Sequence, residues 1–159
     1  MKLGFALPMA GPAATPDGII RVARRAEELG YDSLWTWERL LVPIRPQTGY
    51  IGTPDGSYPE HFKRTMDPLD VLTFAAAYTS HIRLGTSILV MGHYHPLTLA
   101  RRTATIDVLS GGRLDLGLGQ GWSKDEHDAM GVPMRDRARR ADEFLTVLKR
   151  AWKIGRAHV

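Results

Sequence analysis

The apolar positions of this chain alternate between two rhythms. Short compact runs, "KLGFALP", "DSLWTW", "IRLGTSILVM" and "RLDLGLG", are separated by longer stretches with helical spacing. The first long stretch, "ATPDGIIRVARRAEELGY", has Thr15 at the N-cap, Pro16 at the first helical position, Asp17 in the first turn and Gly30 at the end. Its Ile19, Val22, Ala23, Ala26 and Leu29 share one face. A second helix is predicted to open at Asp67 and Pro68. A third begins at Pro96 and stops at Gly111 and Gly112. The fourth, over "MRDRARRADEFLTVLKRAW", presents Ala141, Phe144, Leu145, Leu148 and Trp152 as its buried stripe. The third short run is almost wholly apolar in its second half, which suits a strand covered on both faces. Four consecutive βα units predict an α/β protein with a parallel sheet. Two architectures fit: a doubly wound sheet, complete at four or five strands, and a (β/α)8 barrel, which needs eight.

Two segments interrupt the rhythm. From Glu38 to Met66 the chain is rich in proline and glycine and carries Tyr50, Tyr58 and Phe62. A connection of that length in a compact domain is commonly functional, and here it is expected to fold over the mouth as part of a lid. The other is "GGRLDLGLGQGW". A dinucleotide fingerprint needs a third glycine where Trp122 stands, and it belongs to the first strand rather than the fourth. The next helix is expected only after a further loop, "SKDEHDAMGVPMRD", so a phosphate cradle on its N-terminus is disfavoured. Glycines at the carboxyl end of a barrel strand would instead let a flat ligand approach the backbone, and a bare tight turn fits the spacing equally well.

Composition narrows the classes. The 21 basic and 17 acidic residues are scattered, with no basic helix face, which argues against nucleic-acid binding. With no cysteine, disulfides, thiolate metal sites and cysteine nucleophiles are excluded. The amino-terminal "MKLGFALPMAGPAA" is broken by Gly4 and Pro8 and reads as a first strand rather than a signal peptide. No window reaches membrane-spanning length, so a cytoplasmic protein without membrane partners is expected. His93 and His95 have H-x-H spacing, but two imidazoles make an incomplete metal site. His127, among Asp125, Glu126 and Asp128, reads as a charged loop, so no metal is expected.

Taken in order, "AEELGYDSLWTWERLLVP", "RLGTSILV", "HPLTLARRTATIDVLSGGR" and "LGLGQGWSKDEHDAMGVP" resemble the bacterial luciferase-like superfamily, nearest the coenzyme F420-dependent oxidoreductases. The resemblance runs from residue 1 to about 152. It implies a luciferase-like (β/α)8 TIM barrel of about double this length, with the active site at the carboxyl ends of the strands. Residues 1–152 would then be its first four βα units. Residues 153–159 are expected to be a non-native tail: 154–159 can be encoded by ATC GGA AGA GCA CAC GTC, which resembles the opening of a common short-read sequencing adapter.

The resemblance also implies roles. A cis peptide between Ser87 and Ile88 would support the back of the deazaflavin ring. Gly119, Gln120 and Gly121 would line the polar edge of that ring. Trp122 replaces a glutamate proton donor of relatives and is expected to pack against ring or substrate. The family's Asp/Glu–His pair at the second strand reads Glu38 and Arg39 here. Glu38 keeps the carboxylate, but arginine stays protonated and cannot shuttle a proton near neutrality. Arg39 is therefore expected to meet an anionic substrate or charge developing on the ring, with a surface ion pair as the plain alternative.

The implied activity is hydride transfer between F420 and a small organic substrate, and an FMNH2-dependent monooxygenase is the alternative within the superfamily. Two further classes stand beside these: an inactive half-barrel whose open sheet edges invite pairing, and a metal-dependent barrel hydrolase. The full-length protein is expected to be a homodimer.

Overall fold

The computed structural model describes residues 1–155. Of the tail expected to be non-native, 153–155 continue the last helix, and 156–159 lie outside the described residues. The strands are β1 (Gly4–Ala6), β2 (Ser33–Thr36), β3 (Arg83–Thr86), β4 (Leu89–Val90), β5 (Leu114–Asp115) and β6 (Leu118–Gly119). The helices are α1 (Pro16–Glu28), α2 (Pro68–Ala76), α3 (Pro96–Ser110), α4 (Lys124–Ala129) and α5 (Arg137–Gly155).

β1, β2, β3 and β5 form one parallel sheet in that order, and β4 pairs with β6 in a second, shorter ladder. The order is sequential and never reverses, so there is no switch point of the kind a doubly wound sheet must have. It is the arc of a barrel. In register, Phe5, Leu34, Leu84 and Leu114 lie in one row. Leu34 and Leu84 are fully buried against Ile19, Ala23, Val71 and Leu72, so α1 and α2 cover that face. A second cluster joins Leu69, Leu89 and Leu99 to Ala141, Phe144 and Leu148 of α5. Each fully buried leucine contributes about 1.5–3 kcal/mol.

The helix starts are as the punctuation predicts. Thr15 accepts the Gly18 N–H at 3.0 Å, and Asp67 accepts those of Leu69 and Asp70 at 2.9 and 3.1 Å. Leu29, expected on the buried face, is the C-cap of α1 and is exposed. The third and fourth runs, each expected as one strand, are both split, at 87–88 and at 116–117. The breaks lie level with each other, and Thr86 bridges them: its buried hydroxyl donates to the Gly117 carbonyl at 2.8 Å and accepts the Gly117 N–H at 2.9 Å. A side chain thus replaces the ladder where both strands bend, and β4 and β6 leave the sheet together.

Candidate active site at the carboxyl ends of the strands

Three turns meet above the sheet. β2 runs into Trp37, Glu38 and Arg39, β4 into a short turn over Met91–His93, and β6 into Gln120, Gly121 and Trp122. The peptide between Ser87 and Ile88 is cis. Beyond it the Ile88 side chain is 37% exposed, a large apolar group left open at this end of the sheet. It also lies against Gly119, where a Cβ would come within 2.6 Å of its Cδ1. Gly121 has φ +78°, a left-handed conformation, and a Cβ there would meet Val90 Cγ1 at 2.7 Å. His127, 1% exposed, donates from Nε2 to the Gln120 carbonyl at 3.0 Å and so fixes this turn from below.

Between the turns lies a buried charge cluster. The side chains of Glu38, Arg39, His93 and Glu126 are 7, 6, 3 and 5% exposed. Arg39 donates to Glu126 Oε1 at 3.1 Å, an oxygen that also accepts the Leu40 and Leu41 N–H groups. Glu38 accepts the Val90 N–H at 2.5 Å and the Tyr94 hydroxyl. Burial, then the hydrogen bond to Glu38, holds the Tyr94 pKa well above the ordinary tyrosine value. The His93 Nδ1 lies 3.2 Å from Glu38 Oε2.

The 38–66 segment is a strap fastened to α4. Asp125 accepts the Gln47 and Thr48 N–H groups at 3.1 Å, and Asp128 accepts the Gln47 amide at 2.9 Å. The Asp128 pKa is lowered, first by Lys124 and then by Gln47. Beneath the strap Trp122 stacks on Tyr58, ring centroids 6.2 Å apart, and meets Tyr50 at 6.0 Å. The Arg39 guanidinium sits 4.9 Å from the Trp122 ring centre. Beside the 119–121 turn opens a cleft of about 290 Å³ lined by Tyr94, Gln120, His127, Arg137, Arg140 and Phe144.

The structure thus brings Ser87, Ile88, Gly119, Gln120, Gly121 and Trp122 to one end of the sheet, beside Glu38 and Arg39. It turns the last two inward. Arg39 is neither free for a substrate nor part of a surface pair, because Glu126 claims it in the interior. The run expected to be a charged loop is the helix α4, capped by Ser123, with Glu126 and His127 buried. Its first turn holds Asp125 and Glu126, a poor place for a phosphate. Of the H-x-H pair, His93 joins the charge cluster, whereas His95 is exposed at the N-cap of α3. Among the described residues no group of three or more His, Cys, Asp or Glu is arranged for a metal ion. The sequence gives no part to Glu126, His127 or Tyr94, and of His93 and His95, expected to border the substrate pocket or cap the following helix, His95 is the residue at that cap.

A family model described as luciferase-like monooxygenase matches residues 1–158. An uncharacterized protein of Mycobacterium tuberculosis is 35% identical over 153 residues, which is 96% of this chain and 53% of that protein. A monooxygenase of Streptomyces bottropensis superposes with a TM-score of 0.74 at 30% identity, over 94% of this chain and 42% of the other. A coenzyme F420 dependent tetrahydromethanopterin reductase from Methanopyrus kandleri gives a TM-score of 0.56 at 31% identity, over 83% of this chain and 30% of that one. The chain therefore spans about half the length of the curated relative and less of the solved structures.

Proposed function

Because the chain belongs to the luciferase-like monooxygenase family of oxidoreductases, we propose that its strand tips bind the flat ring of coenzyme F420 for hydride exchange with a small organic substrate. The observation that carries the reading is the strand break at 87–88, where the exposed Ile88 stands beside the 119–121 turn. An apolar side chain next to exposed backbone suits a tricyclic ring with one apolar face and one polar edge. When bound, F420 supplies the hydride chemistry at its C5 carbon.

The chain's own residues orient the ring and shield it from water. Ile88 forms its back. The turn at Gly119, Gln120 and Gly121 offers backbone groups and the Gln120 amide to its edge, and His127 holds that turn in place. Glu38 and Arg39 act from the interior: Glu38 fixes Val90 and Tyr94, and Arg39 ties the start of the strap to α4. Trp122, under Tyr58 and Tyr50, closes the substrate side. The adjoining cleft with Arg137 and Arg140 suits the anionic tail of the cofactor. Residues 1–152 are proposed to be the amino-terminal half of the barrel and 153–159 foreign to it. Turnover and a homodimeric, cytoplasmic enzyme are proposed for the longer protein, and weak cofactor binding without turnover for the 159-residue chain.

A second reading, oxygen activation by reduced FMN, is favoured by the likeness to the Streptomyces monooxygenase. Fluorescence-quenching titrations with F420 and with FMN separate the two. Saturable quenching by F420 at least tenfold tighter than by FMN is expected. The reverse preference selects the monooxygenase, and quenching by neither sinks the ring site.

A further inference from the structure

His93 lies between the two carboxylates of the charge cluster. Its Nδ1 faces Glu38 Oε2 at 3.2 Å and its Nε2 faces Glu126 Oε2 at 4.0 Å, while neither nitrogen has an aligned hydrogen-bond partner. The three residues come from the segments that follow three strands: Glu38 follows β2, His93 follows β4, and Glu126 belongs to α4, the helix beyond β6. The first two segments lie at the end of the sheet proposed to hold the ring, and α4 supports the 119–121 turn through His127. We infer that His93 is the positioning residue that keys the three segments together, an inference resting on the ring-site reading for its function though not for its geometry.

The chemistry favours an imidazole. It is the one side chain whose two nitrogens lie on different edges of a rigid ring, so it can serve a carboxylate on either side. Glu126 leaves Oε2 for it, because Oε1 is taken by Arg39, Leu40 and Leu41. Glu38 is held by Val90 and Tyr94 but has no guanidinium of its own. The charged or titratable groups around His93 are thus two carboxylates, the Tyr94 hydroxyl and one arginine committed to Glu126. Without His93, two buried carboxylates would face each other across its place, with Arg39 committed to Glu126 alone, an arrangement buried charges tolerate badly.

The test is a pair of substitutions in the 159-residue chain. H93F fills the volume and removes both nitrogens. E126Q keeps the oxygen that serves Arg39, Leu40 and Leu41 and removes the charge facing position 93. H93F is expected to lower the thermal midpoint by about 10 °C, and H93F/E126Q to recover at least half of that loss. Cofactor affinity should fall about tenfold in H93F and rise again in the double variant. A space-filling histidine predicts otherwise: an H93F midpoint near wild type, or a double variant no better than the single, overturns the inference. So does a shifted midpoint with unchanged affinity in a chain that binds cofactor. Should H93F alone fail to fold, folding of the double variant is the rescue, and its failure overturns the inference. If wild type binds neither F420 nor FMN, the ring-site reading fails and the melting comparison, run without cofactor, still decides whether His93 joins the segments.

Discussion

Each end of the sheet contains a buried arginine, and the two are treated differently. At the amino ends of the strands, Arg113 places its donors on neutral oxygens. Nε serves the Ser110 carbonyl, one terminal nitrogen the Thr79 hydroxyl and the Ile82 carbonyl, and the other the carbonyls of Ala76 and Thr79. The Ala76, Thr79 and Ser110 carbonyls lie at and just beyond the last turns of α2 and α3, where the helix dipole welcomes a cation. At the carboxyl ends, Arg39 meets a carboxylate and three aromatic rings, and its Nε has no partner. Among the described residues, the buried side-chain nitrogens without partners belong to Arg39, His93 and His127, all at this end. One end satisfies its buried cation, and the other keeps unpaired buried nitrogens in the interior behind the turns proposed to hold the ring.

The largest loss is expected at Arg113. Its replacement by methionine strips five hydrogen bonds from buried acceptors and should cost about 3–5 kcal/mol in urea unfolding. A loss below about 1 kcal/mol would mean the amino end does not carry the fold. At the other end, Gly121→Ala forces a Cβ against Val90 from a left-handed backbone. It should cost about 1–3 kcal/mol and weaken cofactor quenching more than tenfold. A variant that loses the stability but keeps full quenching would detach the turn from the ring.

Burial works to raise the Glu27 pKa, but the N–H groups of His81, Ile82 and Ser80 outweigh it and hold the carboxylate below its ordinary value. A folded-state pKa below the unfolded one means that the stabilisation is full above the unfolded value, about 4.3, and fades as pH falls through the folded value. Wild type should therefore exceed Glu27→Gln by about 1 kcal/mol at pH 7. The gap should close on acidification, and one that widens would reverse the assignment. The smallest effect belongs to the strap. Asp125→Ala frees the Gln47 and Thr48 N–H groups, and chymotryptic cleavage after Tyr50 should quicken about threefold with the global midpoint nearly unchanged. An unchanged cleavage rate would mean the strap is held elsewhere.

These differences also explain what the sequence disclosed. Capped amphipathic helices such as α1 and α5 are local, and Thr15, Asp67 and the stripe at Ala141, Phe144 and Leu148 carry their own signals. The six residues of α4 are "KDEHDA", too short and too polar for a periodic pattern, so a helix with two buried titratable residues passes for a loop. The partnership of Arg39 with Glu126 spans 87 positions, and no local signal announces it. The strand breaks at 87–88 and 116–117 escape periodicity for the same reason, since Thr86 and Gly117 repair one another from 31 positions apart. The glycine-rich turn was visible, while the residues that hold it in shape were not.

Hydrogen exchange with and without F420 is the most direct measurement of the central claim. Protection on binding is expected at 87–94 and 117–127, with the amino-end segments around Arg113 and Glu27 unchanged. Protection confined to those amino-end segments, or none anywhere at saturating F420, would contradict the assignment of the ring site to the carboxyl ends.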